Sequence, residues 1–504
     1  LSADSLNKRY SVKLVSSIIS GIVNAIIVAL VPSAMGPVAY GQLTYLQQIF
    51  NQITSFADAG TSTAFFTKLS ANNNRKELIS HYFFFSMLLL MLLSSALGGV
   101  VFFGFSDLLS KEISALSFYL GLFLGFVVWF TQVAIKISDA YALTVTVEVL
   151  KIVYKIVFLL FLILVIYSLT LTLDVFLFFQ IVAGVFFLAI LFFYFYKENI
   201  LSGCFERGFS GIKATIDEFF VYVSPLFVFN AVSIVIAFFE IWLLQYFGGA
   251  ESVGFYGLAY SIAAMCFVFT SAMTPVLTRE FSRLYEIGRN DKILKLFYTY
   301  LPLLYFIAAY FGLFIAYNSE YVLSVFADER FSSAALTLSI MSLYPLHQTY
   351  GQITSSLFFA SGETKAYRNI GLLSALIGLV LVLLFVFLFD MKDVGFAIKM
   401  LAAQFIGVNI QLYYNCRMLK GNFPKLFYAQ LKPLFSVYLI VLISDCLNPF
   451  GSETFFGFFV FGIIYSLLVV FVVVYRGDAF GLCPNAVSAL VRKIRNKVLG
   501  GRFF

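Results

Sequence analysis

Runs of twenty or more mostly apolar residues recur from one end of this chain to the other, parted by short polar loops. A backbone in hydrocarbon must satisfy its own N–H and C=O groups, so each run is expected to cross a bilayer as an α-helix of ~20 residues or more. Fourteen runs fit: 11–34, 40–66, 80–105, 113–135, 142–167, 172–196, 217–246, 252–278, 296–317, 333–359, 369–389, 394–416, 427–446 and 454–475. Twelve remain if the two weakest are set aside. With 61% hydrophobic and 12% charged residues, the chain lies outside soluble-domain composition. Its expected fold class is an all-α polytopic membrane protein.

Lys and Arg orient it, because cationic loops are retained in the cytoplasm. With the N-terminus inside, inward segments hold 27 of the 33 basic residues, and outward loops hold only Lys111, Arg330 and Lys392. Both termini are therefore expected in the cytoplasm. The net charge of +7 then reflects insertion rather than nucleic-acid binding. The basic stretch from Val491 to Arg502 suits anionic headgroups. The first run is longer than a signal-peptide core and is read as a retained span. No outward loop is long enough for an extracytoplasmic domain. Cys204, Cys266, Cys416, Cys446 and Cys483 are scattered and without metal spacing, so neither a metal nor another cofactor is expected.

An internal repeat refines the picture. From Tyr40-Gly41 and Tyr256-Gly257 the chain aligns with itself without a gap at an offset of 216 residues, through Thr54/Thr270, Phe65/Phe281, Asn74/Asn290 and Leu78/Leu294. That offset corresponds to six span-plus-loop units, an even number, so the halves run parallel. Parallel repeats occur in alternating-access transporters, with the substrate path between the halves. The expected division is a six-helix lobe over 1–205, a second over 206–425, two further helices over 426–475 and a cytoplasmic tail over 476–504.

Two histidines, no Cys cluster, no phosphate-binding Gly loop and no Gly-x-Ser-x-Gly argue against an enzyme. Intramembrane polarity remains as the place for chemistry, because polar groups in hydrocarbon are costly and face a bundle interior or a wet cavity. In the second span Thr44, Gln48, Asn51, Ser55, Asp58 and Ser62 share one helical face, widened by Gln47, Gln52 and Thr54. The opposite face, Leu43, Leu46, Ile49, Phe50, Ile53 and Phe56, is expected against lipid. Such a stripe serves either interhelical hydrogen bonding or a cavity wall for a polyhydroxylated substrate.

The fifth span places Thr144, Glu148, Lys151 and Lys155 on one face, with Lys155 near mid-membrane. Two readings stand. Asp58, Glu148 and the lysines form a closed, charge-neutral network, or Lys151 and Lys155 meet phosphate or an acidic sugar in transit. The seventh span carries Asn230, a further candidate substrate contact, and Glu240, equivalent to Asn24 under the 216 offset, with a break expected at Ser224-Pro225. Glu240 either holds a coupling ion, H+ or Na+, or pairs with another helix. In the tenth span Tyr344-Pro345-Leu346-His347-Gln348 sets a histidine beside a helix breaker, as a buried neutral ring or a proton-coupling group. Lys399 is expected to snorkel to the outer interface.

Met35-Gly-Pro-Val-Ala-Tyr-Gly-Gln42, directly after the first span, resembles the Gly-Pro-x-x-Tyr-Gly turn of bacterial polysaccharide transporters. These are the O-antigen flippase group of the multidrug/oligosaccharidyl-lipid/polysaccharide exporter superfamily. The likeness continues through Ala57-Asp-Ala-Gly-Thr-Ser-Thr-Ala64, Val253-Gly-Phe-Tyr-Gly-Leu-Ala-Tyr260 and Phe359-Ala-Ser-Gly-Glu-Thr-Lys365. The resemblance implies a flippase carrying an undecaprenyl-diphosphate-linked oligosaccharide from the inner to the outer leaflet. Its implied partners are that substrate, membrane lipids and polysaccharide assembly proteins. Rival readings are a lipid II flippase, a drug or cation antiporter of the same superfamily, and a membrane polymerase or ligase. The antiporter is disfavoured because residues 11–34 hold no Asp or Glu, and the enzyme because it would need a large outward catalytic loop.

The charge asymmetry predicts that reporter fusions after Gly203, Arg289 and Gly421 read as cytoplasmic, and those after Gly249 and Asp390 as external. Reversal at two of the five overturns the topology.

Overall fold

The computed structural model describes residues 6–476 except 59–60, 72–74, 105–108, 142, 205–210, 268–273 and 452–453, and at some helical positions, 221–230 among them, the backbone alone. Asn230 and Ser224-Pro225 therefore have a helical backbone and no described side chain. Thr270 and the basic stretch 491–502 lie outside the described residues.

Sixteen α-helices follow one another, and no strand occurs among the described residues. The first half comprises α1 Leu6–Asp58, α2 Thr61–Ala71, α3 Glu77–Phe102, α4 Ala115–Ala140, α5 Thr144–Ser168, α6 Leu173–Lys197 and α7 Ile212–Ala264. Next come α8 Thr274–Glu286, α9 Asn290–Tyr317, α10 Ser319–Phe326, α11 Ala335–Met341 and α12 Tyr344–Ser361. The described residues close with α13 Thr364–Val382, α14 Lys392–Leu419, α15 Phe423–Leu447 and α16 Phe455–Arg476. Loop residues start several of them. Ser114, Thr172 and Asn422 accept from the backbone N–H three positions on, satisfying donors that a helix start leaves bare.

Among the described residues eleven helical segments are long and apolar enough to cross a membrane. The first, Ile18–Asp58, has 41 residues, about 60 Å of helix against ~30 Å of hydrocarbon. It is interrupted at Gly36 (φ 81°, ψ 167°), a left-handed conformation open to a residue without Cβ. α7 breaks in the same way at Gly249 (φ 73°, ψ 176°). With both breaks counted, these become thirteen candidate segments among the described residues. The tenth expected span, 333–359, is split: α11 stops at Met341 and α12 restarts with Pro345 in its first turn, where a residue without an N–H breaks no ladder.

The breaks also reset the register of the repeat. Gly36 and Gly249, and Glu77 and Asn290 at the starts of α3 and α9, are each 213 residues apart. The 216 offset of the Tyr-Gly pairs is thus three residues, close to one helical turn, out of structural register. Such a slip keeps side chains near the same face, which is how it satisfies a sequence match. In the structural register Asn24 corresponds to Ala237, not to Glu240.

The chain groups into two compact units, Leu1–Gly257 with Val386–Asp393, and Leu258–Phe385 with Val394–Phe504. In the first, α1 packs on α4 and α5, and α4 on α6, over a core that includes Phe65, Tyr82, Phe126, Phe130 and Phe187. In the second, α9 packs on α12 and α15, and α8 on α12, around Phe297, Tyr305, Tyr350 and Tyr465.

The sequence motifs settle one crossing within the first unit. A Cβ at Gly41 would lie 1.6 Å from the Ala250 carbonyl oxygen, one at Gly254 2.3 Å from the Pro37 carbonyl oxygen, and one at Gly257 2.5 Å from Thr44 Oγ1. Here the stretch after the first break meets the stretch after the second, backbone on backbone. Gly41→Ala and Gly254→Ala should each destabilise by at least ~1–3 kcal/mol, read as lower thermal stability in detergent. Gly99→Ala, where a Cβ meets nothing within 4 Å, should be neutral. Equal stability of all three would refute this close packing.

Candidate functional site

A helix gathers the polar residues of α5 on one side and leaves Val149, Val153, Leu160 and Leu164 exposed on the other, a face suited to lipid. The polar side opens on a cavity of about 420 Å3 inside the first unit. α1 contributes Asn24, Gln47 and Asn51, α4 Thr131 and Gln132, α5 Lys151, Tyr154 and Lys155, and α6 Gln180. Five carboxamides and two ammonium groups thus share one chamber. Its apolar floor includes Gly121, Gly125 and Phe187, with Tyr154 stacked on Phe187 at 4.5 Å.

The two lysines are held differently. Lys151 Nζ lies 3.3 Å from Glu148 Oε2, and that carboxylate, 2% exposed, also accepts from the Ser16 hydroxyl. Lys155 Nζ donates to Asn24 Oδ1 at 3.1 Å. Among the described residues it has no carboxylate within ion-pair distance. Glu148, Lys151 and Lys155 together carry one net positive charge, next to amides that both donate and accept. The arrangement suits an anionic, hydroxyl-rich ligand.

The stripe of the second span divides among three tasks. Asn51 and Gln47 line the cavity, with Gln47 Nε2 3.5 Å from Gln180 Oε1. Thr44 is buried against Gly257. Gln48 is half-buried and is not among the lining residues. Asp58 belongs elsewhere: its carboxylate accepts from the Ser62 backbone and hydroxyl, Tyr82 Oη at 3.0 Å and Trp129 Nε1 at 3.3 Å, and Lys136 Nζ sits 2.6 Å from Ser62 Oγ. Asp58 and its partners thus form a cluster apart from that of Glu148 and Lys151, so the reading that joined them in one network does not hold. The apolar face is corrected too. Leu43, Leu46, Ile49 and Phe50 are at most 3% exposed, and Phe50 fills the space over Gly121 and Gly125 of α4, so this part of the face is packed inside the protein, while Phe56 at its end remains 43% exposed.

The coupling candidates sit apart from the cavity lining. Glu240 is buried in the first unit. His347, in the second, is buried against Tyr305, whose hydroxyl lies 3.3 Å from Nδ1, and meets Phe405 edge-on at 5.0 Å. Lys399 is 4% exposed with Nζ over the Phe396 ring at 5.1 Å, so it is buried rather than snorkelling.

The profile of the polysaccharide biosynthesis protein family matches residues 6–281, more than half of the chain. The chain belongs to that family. The match contains every residue lining the cavity, whereas His347 lies beyond it. No curated protein matches in sequence. In fold the chain resembles the lipid II flippase MurJ in an inward closed conformation, at 15% identity and TM-score 0.69, covering 91% of this chain and 98% of that one. It also resembles a multidrug resistance MATE family transporter of the MOP superfamily, inward-facing, at 15% identity and TM-score 0.62, with 83% and 95% covered. The outward-facing form of such a transporter gives 13% identity, TM-score 0.57, with 82% and 95% covered. These likenesses establish the fold that this chain shares with those proteins.

Sequence reasoning missed Thr131, Gln132, Tyr154 and Gln180 as members of the site, and treated Asn24 only as a repeat partner. Their signal was available: Gln132 and Gln180 are isolated carboxamides in otherwise apolar helices, and such a group is costly in hydrocarbon unless a partner or water meets it. Cysteines at Gln47 and Asn51 should react with a small water-soluble thiol reagent, and cysteines at Ile49 and Phe50 should not. Equal labelling of the two faces would exclude a wet cavity at this place.

Proposed function

We propose that this family member is a flippase moving an undecaprenyl-diphosphate-linked oligosaccharide, such as an O-antigen or another surface-polysaccharide repeat unit, across the bacterial inner membrane by alternating access. The observation that carries this reading is Lys155, an ammonium without a carboxylate partner among the described residues, in a chamber walled by Asn24, Gln47, Asn51, Gln132 and Gln180. A desolvated ammonium is a strong partner for a phosphate oxygen. Carboxamides match sugar hydroxyls as donors and acceptors. A volume of about 420 Å3 is within the usual range of ligand sites.

Lipid II flippase activity is the second reading, favoured by the extent of the likeness to MurJ. The same cavity chemistry serves both substrates, since each joins a diphosphate to sugar. A cation antiporter fits less well, because the cavity charge is net positive and the first arm of α1 lacks an acid. Lys155→Ala should leave membrane abundance intact and lower surface glycan about 10- to 100-fold, the worth of a hydrogen bond to a charged group, with lipid-linked units building up at the inner leaflet. Lys151→Ala should reduce abundance, because an uncompensated buried Glu148 costs ~3–5 kcal/mol. Adding Glu148→Gln should restore abundance and leave surface glycan low. Full recovery of glycan in that double variant, or normal export by Lys155→Ala, would overturn a substrate role for these lysines.

A further inference from the structure

The first unit holds a second hollow, of about 690 Å3, at the expected outer end of the helices that form the cavity. Both arms of α1, α4, α5 and α6 line each of the two. Along the second arm of α1 the lining passes from Gln42 in one to Gln47 in the other, along α4 from Ser117 to Gly121 and along α6 from Asp174 to Leu177. Such steps are about 5–8 Å of helix, so the hollows are stacked along one bundle. The layer between them holds Leu43, Phe118, Leu162 and Phe176, each at most 3% exposed. Resting on the flippase reading above, we propose that the outer hollow is a second ligand site, one that takes the saccharide of the substrate without its diphosphate.

The opposite chemistry of the two walls carries the argument. The cavity presents the ammonium groups of Lys151 and Lys155, whereas the outer hollow is lined by Glu112 and Asp174 and by no Lys or Arg. Lys111, next to Glu112 in sequence, is not among its lining residues. Asp174 Oδ1 accepts from Ser117 Oγ at 2.6 Å, and Glu112 Oε2 accepts from the Ala250 N–H and Gln245 Nε2. Each carboxylate keeps its second oxygen without a donor among the described residues. Gln42 Nε2 donates to the Glu112 carbonyl at 2.8 Å, which leaves its Oε1 open in the same way, and the hydroxyl of Thr170 also lines the hollow.

A wall of open acceptors calls for a ligand rich in donors. Carboxylate oxygens accept only, and hydrogen bonds to them are stronger than those between neutral groups. Sugar hydroxyls supply the donors. An ionised phosphodiester supplies none and is repelled by like charge, which is how a site refuses one part of a molecule while holding another. No group of three His, Cys, Asp or Glu side chains placed to hold a metal ion occurs among the described residues, so the acceptors of this wall suit hydroxyls. Met35, Leu171 and Leu173 add apolar surface, and a mostly apolar hollow with a few placed polar groups is the usual make-up of a ligand site. The two sites then divide the substrate: the cavity holds the diphosphate, and the outer hollow holds sugar at a place where no lining cation draws the phosphate back.

The test is calorimetric titration of the full-length protein in detergent with two probes. One is the phosphate-free oligosaccharide released by mild acid from the lipid-linked units of the cells that make the protein, and the other is a short-chain prenyl diphosphate without sugar. The oligosaccharide should bind the wild type and Lys155→Ala alike, and should bind Asp174→Asn about tenfold more weakly, the worth of a hydrogen bond to a charged group. The prenyl diphosphate should show the reverse dependence. Thr170→Cys should react with a small water-soluble thiol reagent, followed at that residue by mass spectrometry, and the oligosaccharide should slow the reaction. Asp390→Cys, at an exposed position outside the hollow, should react at one rate throughout. Oligosaccharide that fails to bind, or whose binding is lost in Lys155→Ala and unchanged in Asp174→Asn, would overturn the outer site and leave the flippase reading intact. If Asp174→Asn fails to fold, the labelling of Thr170→Cys decides, and equal rates with and without oligosaccharide overturn the site. Prenyl diphosphate that binds without regard to Lys155 would instead overturn the reading of the cavity, and with it the division of the substrate between two sites.

Discussion

A charge inside an apolar helix must find a counter-charge, water or a ligand, and the arrangement around α5 follows from that requirement. Lys151 is met by Glu148, three residues back on the same helix, and Glu148 by Ser16 of α1. The pair therefore ties α5 to the first arm of α1, and Lys155 repeats the tie two turns after Glu148 through Asn24. A fully compensated pair would leave a closed interface. The second lysine leaves a surplus charge that a ligand can use, at the one place where carboxamides from α1, α4 and α6 also converge.

That convergence needs helices held in fixed register, and glycine provides it where a side chain would keep backbones apart. Phe50 of α1 seats over Gly121 and Gly125 of α4, and Gly41 meets Ala250 directly. On the outer side of the expected topology, Glu112 accepts from the Ala250 N–H at 2.9 Å and from Gln245 Nε2 at 3.3 Å. A carboxylate there satisfies a donor freed by the break at Gly249 and opposes the positive end of the following helix. The Met35-Gly-Pro-Val-Ala-Tyr-Gly-Gln42 motif thus has a geometric meaning: Gly36 breaks the helix, Pro37 presents a carbonyl to Gly254, and Gly41 admits the neighbouring backbone.

Much of the fold was legible because hydrophobic run length and helix length obey the same bilayer thickness. The site was less so. The spacing of Thr144, Glu148, Lys151 and Lys155 fixes one face of α5 with no tertiary knowledge, and the Glu148–Lys151 pair could be read from it. Periodicity says which residues share a face but not what that face meets. Hence the stripe of the second span looked continuous, although Thr44, Asn51 and Asp58 serve three different neighbours, and the apolar face of that span was assigned to lipid when Phe50 had two glycines of α4 beneath it. The repeat was misregistered for a similar reason: three residues is nearly a full turn, so identities survive a slip that the glycine breaks do not.

In the second unit many of the described intramembrane polar groups bond to one another. Gln404 donates to Gln348 at 2.6 Å, Gln430 to Asn409 at 2.6 Å, Thr354 to Gln411 at 2.8 Å and Asn415 to the Thr354 carbonyl at 2.9 Å. These groups are neutral and bond to one another across helices, which in membranes is worth about 0.6 kcal/mol per contact. His347, packed between Tyr305 and Phe405, belongs to the same interior. The cavity of the first unit differs in kind: its amides face open volume, and the charge beside them exceeds what its carboxylate can balance. Spacing alone does not separate the two kinds of polar helix. The distinction lies in whether a polar group's partner is another fixed side chain or an unfilled space, and in the first unit Lys155 faces such a space with no carboxylate within ion-pair distance among the described residues.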